Sequence, residues 1–292
     1  MPFFSIVIPT YNRAEIIGKT IQSVINQQFK DWELIIIDDG GTDNTKKIIT
    51  DFNDTRIKYY WKDNGERGAA RNFGVKKARG NYVFFLDSDD LIYVNHLAHA
   101  EEKLQYLDNP AFFHSRYEEV FPNKTVQVEK LNQKTIWQTI QKQNKIGCPF
   151  FLRKDIALRF PFSENRNLKI GEDWLVILKL GNEFKLNISN KITMGVIQHA
   201  TRSMNILNYK DVLLSKNLII EELNTHNSIN LKKTIVNVDY ELTSLAALSA
   251  ALNNEKWVSL KIVVKLFLNY PIKICKQRRT LAILKHLISL KH

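Results

Sequence analysis

Asp87-Ser88-Asp89-Asp90 sets three carboxylates within four residues, directly after the apolar run Tyr82-Val83-Phe84-Phe85-Leu86. Like charges this close repel one another, and the end of a buried strand does not need them for packing. A divalent cation removes the repulsion, and hard carboxylate oxygens suit Mg²⁺ or Mn²⁺. The competing role is capping, because Asp is a good N-cap and a helix is expected over Tyr93–Leu107. Capping would occupy one acid and leave the others unexplained. A second polar cluster, Asp38-Asp39-Gly40-Gly41, follows the run Leu34-Ile35-Ile36-Ile37, and a third, Thr10-Tyr11-Asn12-Arg13, follows Ser5-Ile6-Val7-Ile8-Pro9.

The elements that must position these clusters are legible from periodicity. Ser5–Ile8, Leu34–Ile37, Ile57–Trp61 and Tyr82–Leu86 are predominantly apolar runs of strand length. Between them lie helix-period segments: Ala14–Gln28 with Ile16, Ile17, Ile21, Val24 and Ile25 on one face, a segment bearing Ile48, Ile49 and Phe52 behind Asp43-Asn44, and Gly68–Ala78. Uninterrupted apolar strands alternating with helices predict βαβ units and a parallel sheet covered on both faces. Such sheets bind ligands beyond the carboxyl ends of their strands, where all three polar clusters fall. A nucleotide-sized ligand is expected there. One further helix is expected from Trp174 to Leu180, and beyond Asn205 the pattern turns helical.

Four blocks, Ser5-Ile6-Val7-Ile8-Pro9-Thr10-Tyr11-Asn12-Arg13, Glu33–Gly40, Gly68-Ala69-Ala70-Arg71-Asn72-Phe73-Gly74 and Phe85–Asp90, stand in one order at one spacing. Together they resemble the family 2 glycosyltransferases. The resemblance thins after Asp90 to Gly171-Glu172-Asp173-Trp174 and Gln198-His199-Ala200-Thr201-Arg202-Ser203, and ends near residue 205. It implies an α/β GT-A (Rossmann-like) fold for residues 1–205, divided into a nucleotide-sugar-binding half (1–110) and an acceptor-side half (111–205), followed by a basic amphipathic helical region (206–292).

The same resemblance implies a division of labour. Pro9, Thr10, Tyr11, Arg13 and Asp39 hold the nucleotide, with Asp39 accepting from the base N–H. Arg71 lies near the base and phosphates. Asp87 reaches the ribose with Ser88 beside it, Asp89 binds a Mn²⁺ or Mg²⁺ ion, and Asp90 could share that role. His199 completes the metal site, Arg202 and Ser203 approach the diphosphate, and Asp173 is the catalytic base with Glu172 as its rival. The chemistry is coherent in its own terms. A departing nucleoside diphosphate gains negative charge that a cation and arginines neutralise. The acceptor hydroxyl must lose a proton to a carboxylate as it attacks. One base without a covalent nucleophile makes a single, inverting displacement. The family thus implies a metal-dependent inverting transferase for a hexosyl or N-acetylhexosaminyl group, with a UDP-sugar favoured because Asp39 suits the uracil N3–H, and a glycan or lipid-linked hydroxyl as acceptor in surface polysaccharide synthesis.

Simpler roles compete residue by residue. Asp38 should be structural, since neighbouring strand residues point opposite ways. Glu172 and Asp173 could serve only to start a helix, His199 could be a structural histidine, and Trp61, Trp137 and Trp174 are read as packing rather than a sugar platform. Other functions lack their signatures. No G-x-G-x-x-G follows the first strand, which excludes a dinucleotide-binding dehydrogenase. The glycine-rich basic loop of a nucleotidyltransferase is missing as well. A degenerate member that binds nucleotide or a partner without catalysis is the alternative.

Composition sets the remaining bounds. The 292 residues are 44% hydrophobic and carry a formal charge of +12. Cys148 and Cys275 are the two cysteines and form no metal or redox pattern, which points to a reducing cytoplasm. No apolar run approaches the ~20 residues of a membrane span, and the N-terminus does not read as a signal peptide. Between Trp257 and His292 there are eight Lys or Arg and no Asp or Glu. An apolar stripe of Ile262, Val263, Leu266, Phe267 and Tyr270, then Leu281, Leu284, Leu287 and Ile288, accompanies them. A basic amphipathic helix of this kind is expected to lie on an anionic membrane leaflet, with Lys276, Arg278 and Arg279 meeting headgroups. Nucleic acid is not expected as a partner, because no nucleic-acid-binding motif is present. The stripe could equally meet its own domain or a second subunit, so an oligomer stays open.

Overall fold

The computed structural model describes residues 1–199, 202, 208–225, 231–275 and 278–288. Strand β1 (Phe4–Thr10) is followed by helix α1 (Ile17–Ile25), β2 (Trp32–Asp39), α2 (Thr45–Thr50), β3 (Ile57–Lys62), α3 (Glu66–Lys77) and β4 (Tyr82–Phe85). A two-residue strand β5 (Leu91–Ile92), α4 (His96–Tyr106), β6 (Phe112–Phe121), β7 (Lys124–Gln127), α5 (Ile136–Ile140), β8 (Phe151–Arg153) and α6 (Lys154–Arg159) come next. Then follow α7 (Glu172–Glu183), β9 (Asn187–Ile197) and five helices, α8 (Tyr209–Thr225), α9 (Leu231–Leu252), α10 (Lys256–Asn269), α11 (Pro271–Cys275) and α12 (Arg278–Ile288).

The described strands form one sheet in the order β3-β2-β1-β4-β8-β6-β9-β5, with β7 paired to β6. The first four are parallel, as the alternation of apolar strands with helices predicts. β8 joins β4 antiparallel, and β6 pairs β8 antiparallel and β9 parallel. Every residue of β2 is buried, so both faces of the sheet are covered at its centre. The helix expected at Tyr93 instead starts at His96, because Leu91 and Ile92 pair with Gly195 and Met194 as a short strand.

Residues 1–137, 145–166 and 176–199 form one compact unit, and 138–144, 167–175 and 200–292 a second. In the first, α3 packs tightly on the sheet. A Cβ on Gly74 would lie 2.4 Å from Val7 Cγ1, and one on Gly68 2.2 Å from the Ser163 carbonyl oxygen. Both glycines of the Gly68–Gly74 block are therefore steric requirements. In the second unit, α9 is the central helix. Tyr240 and Ala247 of α9 form a core with Leu266, Ile274 and Ile283, joined by Ile262, Val263, Tyr270 and Leu287.

That packing corrects the expectation for the basic stripe. Ile262, Val263, Leu266 and Tyr270 are turned onto α9, not outward, while Phe267 and Leu281 are exposed. Arg279 is also taken up inside the unit, donating to Glu241 Oε1 at 2.7 Å and Ser244 Oγ at 2.7 Å. The side chains of Leu284, Ile288 and Arg278, and the whole of Lys276, lie outside the described residues. No helix among the described residues is long and apolar enough to cross a membrane.

Histidines are buried in the first unit rather than arrayed at its surface. His96 stacks on Phe151 and leans on Phe84, with Nδ1 2.8 Å from Thr193 Oγ1. His114 donates from Nδ1 to the Pro149 carbonyl at 2.8 Å. Burial pushes the His96 imidazole down to about 3, with His99 and His114 adding to the effect, and burial pushes His114 down to about 4. Both rings are neutral in the fold. The unfolded chain takes up these protons near the ordinary 6.5, so below that pH the unfolded state binds more protons. Stability is fully present above about 6.5 and is lost as pH falls toward about 4 and 3. Each histidine is expected to cost about 2 kcal/mol between pH 7 and pH 5. Urea denaturation at the two pH values checks this, the midpoint being lower at pH 5.

Candidate functional site

β4 ends at Phe85, and the chain turns at once, the Asp90 N–H donating to the Asp87 carbonyl at 3.2 Å. The turn gathers Asp87, Asp89 and Asp90, whose carboxylates each offer an oxygen within 4.8 Å of the others. None of them caps α4, whose N-cap position is Asn95, so the capping alternative does not hold. Each acid has its own partner. Arg71, 2% exposed on α3, donates to Asp87 Oδ1 at 2.9 Å and stands over the Phe162 ring. His199 Nε2 lies 2.8 Å from Asp89 Oδ2. The Ile197 N–H donates to Asp90 Oδ1 at 3.0 Å. Ser88 is buried, and its carbonyl accepts from Thr20 on α1 at 2.9 Å.

Sheet pairing explains how His199 arrives from 110 residues away. β9 runs antiparallel to β5 with Leu91 opposite Gly195, which brings the end of β9 beside the Asp87–Asp90 turn. A cluster of hard carboxylate oxygens with one imidazole nitrogen beside it is a donor set that fits Mn²⁺ or Mg²⁺. Three carboxylates held this close repel one another, and a divalent cation would relieve that repulsion.

The end of β2 separates its two acids as strand alternation requires. Asp38 is structural, with Oδ1 accepting from the Gly41 N–H at 2.9 Å and Oδ2 from the Tyr59 hydroxyl at 2.8 Å. Asp39 is held by one oxygen, Oδ1, which accepts from Lys62 Nζ at 2.7 Å and the Gly65 N–H at 3.0 Å. At the end of β1, the Thr10 hydroxyl is buried without a hydrogen-bond partner among the described residues. Tyr11 is half exposed, and Asn12 takes a left-handed φ of 51°, its Oδ1 accepting from the Thr42 N–H at 2.8 Å. The Arg13 N–H donates to Thr45 Oγ1 at 3.0 Å, and Pro9 pairs with Ile37.

The first unit thus contains Pro9, Thr10, Tyr11, Arg13, Asp39, Arg71, Asp87, Ser88, Asp89, Asp90 and His199. Glu172, Asp173 and Arg202 belong to the second. Glu172 is buried and Asp173 half-buried in the first turn of α7. Their turn is anchored by Trp174, which is buried and donates from Nε1 to the Ile140 carbonyl at 2.8 Å. Just upstream, the N–H of Lys169 donates to the Ser215 hydroxyl of α8 at 3.0 Å. Ser203 lies outside the described residues. Sequence reasoning missed Lys62, which sits opposite Asp39 in the β2–β3 register. The signal was available, since β3 also ends at the edge where ligands bind. It also missed Asn72, which bridges Phe162 and Glu164 and so pins the 162–164 loop against α3.

The sequence model of "Glycosyl transferase family 2" matches residues 5–162, slightly over half of the chain. The chain belongs to this family. It is 33% identical over 187 residues to the UDP-Glc:alpha-D-GlcNAc-diphosphoundecaprenol beta-1,3-glucosyltransferase WfgD of Escherichia coli, covering 63% of this chain and 72% of that protein. It is also 33% identical over 165 residues to the GalNAc(5)-diNAcBac-PP-undecaprenol beta-1,3-glucosyltransferase of Campylobacter jejuni, spanning half of that protein's length. Among solved structures, residues 1–349 of Staphylococcus aureus TarS with UDP-GlcNAc superpose at a TM-score of 0.62 and 20% identity, over 92% of this chain and 89% of TarS 1–349. The Pyrobaculum calidifontis mannosyltransferase PcManGT with GDP-Man and Mn²⁺ reaches 0.59 at 13% identity, over 100% of this chain and 88% of that one. The fold is GT-A, as the four blocks implied.

The two acids of β2 should separate in experiment. Asp38→Ala removes the Gly41 and Tyr59 bonds and is expected to lower stability by about 2 kcal/mol. Thermal or urea unfolding reads that loss directly.

Proposed function

We propose that this chain transfers a hexosyl or N-acetylhexosaminyl group, glucose being favoured, from a UDP-sugar to a hydroxyl of a lipid-diphosphate-linked glycan. The observation that carries the reading is the acid cluster Asp87, Asp89 and Asp90, met by Arg71 and His199, at the strand end of a GT-A sheet. The undecaprenol-linked acceptors and the UDP-Glc donor named for the relatives support the acceptor class and the sugar.

Asp39 accepts the N3–H of uracil through its second oxygen while Lys62 and Gly65 hold the first. Pro9, Thr10, Tyr11 and Arg13 line the base and ribose side, and the Asp87 carboxylate with Ser88 meets the ribose. Asp89 and His199, with Asp90 beside them, hold a Mn²⁺ or Mg²⁺ ion. Bound there, the ion supplies Lewis-acid neutralisation of the diphosphate. Arg71 and Arg202 are the groups that add charge to the diphosphate, and Ser203 a hydrogen bond. Asp173 takes the proton from the attacking acceptor hydroxyl, with Glu172 the alternative base, and the single displacement inverts the anomeric centre. A chain of this kind works at the cytoplasmic face of a membrane, where its basic C-terminal region meets the anionic leaflet that displays the acceptor.

Isothermal titration of UDP with Mn²⁺, repeated in EDTA and with Asp89→Ala, tests the donor site. Binding should require metal and vanish in the variant. Absence of binding by UDP, GDP and dTDP alike would overturn the reading. Asp173→Asn should keep UDP affinity and lower turnover of the UDP-hexose about 10²–10⁴-fold. Binding without turnover by the native chain would leave a nucleotide-binding member without catalysis.

A further inference from the structure

Helix α10 is apolar on two opposite faces. One face is satisfied within its unit: Leu266 is buried on α9, Ile262 and Val263 pack beside it, and Ser259 Oγ donates to the Ala247 carbonyl at 2.8 Å. The other face carries Trp257, Leu260, Val264, Phe267 and Leu268, spaced by three and four residues into one stripe. Trp257 is 78% exposed, Leu268 74% and Phe267 54%. Ile272, in the following helix α11, is also 72% exposed. A helix apolar all round does not rest in water, and a contiguous exposed patch of this kind marks a contact surface.

Charge selects the occupant. Lys261 and Lys265 are exposed along one flank of the stripe. From Lys256 to His292 no acidic residue occurs, and the nearest, Glu255, sits at the N-cap position before the helix. A second copy seated on the same face would bring the same lysines together with no acid of the helix to answer them. Anionic lipid headgroups answer them directly. Aromatic and large aliphatic side chains on one side with lysines at the margin are what an interfacial helix presents to headgroups and acyl chains.

We propose that the outward face of α10 is the surface by which this chain sits on an anionic lipid bilayer, with Trp257, Phe267 and Leu268 entering the headgroup region and Lys261 and Lys265 pairing with lipid charge. The proposal rests on the reading of a lipid-linked acceptor and names the residues that bring the chain to it. They differ from the stripe legible in the sequence, most of which faces α9.

Co-sedimentation with vesicles of phosphatidylglycerol and phosphatidylcholine, and with phosphatidylcholine alone, provides the test. The native chain should bind the anionic vesicles. Trp257→Ser, Phe267→Ser and Leu268→Ser combined should weaken that binding about tenfold or more, and Lys261→Glu about tenfold on anionic vesicles only. Both variants change exposed side chains of the second unit, so UDP affinity should stay at the native value as a check of folding. Native chain left in the supernatant would overturn this surface and the membrane part of the proposed function, while UDP titration judges the donor site separately. Unchanged sedimentation of the triple variant would overturn the assignment of this face alone. If instead the triple variant converts a native dimer to a monomer without changing sedimentation, a second copy covers the face and the proposal fails.

Discussion

Three carboxylates held within 4.8 Å of one another at the end of a buried strand are the constraint around which the first unit is organised. Alone they would repel, and the partial desolvation of a strand end would sharpen that repulsion. The fold brings one counter-group to each. Arg71 can reach Asp87 because α3 lies close on the sheet, and α3 lies close because Gly74 carries no Cβ against Val7. His199 reaches Asp89, and the Ile197 N–H reaches Asp90, because β9 pairs with the two-residue strand just beyond the acids. The clustered carboxylate oxygens remain a donor set that suits a hard divalent cation.

The same economy operates at the end of β2, where adjacent acids serve opposite purposes. Asp38 spends both oxygens on the fold, closing the Asp38–Gly41 turn and holding the Tyr59 hydroxyl. Asp39 is clamped through one oxygen by Lys62 and the Gly65 N–H. A carboxylate fixed in this way is pre-oriented, which lowers the ordering cost of any further hydrogen bond it accepts.

In the helical unit, chemistry that looks functional in sequence proves to be internal support. Arg279 is a partner of Glu241 and Ser244 on α9, Tyr270 donates to Asp239 at 2.7 Å, and Lys216 meets the same carboxylate at 2.8 Å. Basic residues in this unit therefore divide between those that hold helices together and those, such as Lys261, that stand on its surface. The apolar residues of α10 divide in the same way.

By itself the sequence determined the order of strands and helices in the first ninety residues, the parallel pairing of β1 to β4, and the strand ends at which polar residues collect. Those features follow from local periodicity, because a strand buried on both faces must be apolar throughout and its end is the first place a charge can stand. That Asp38 and Asp39 face opposite ways, with Asp38 turned to the fold, was legible for the same reason. What only tertiary structure decided are the pairings that depend on distant residues. The family resemblance joined His199 to the site of Asp89, but no local pattern did, and the 2.8 Å contact exists only because β9 returns beside β5. Lys62 acquires its meaning only through the β2–β3 register. Periodicity also found that α10 has an apolar face but not which one meets α9, because both faces are apolar and only the neighbouring helix chooses between them.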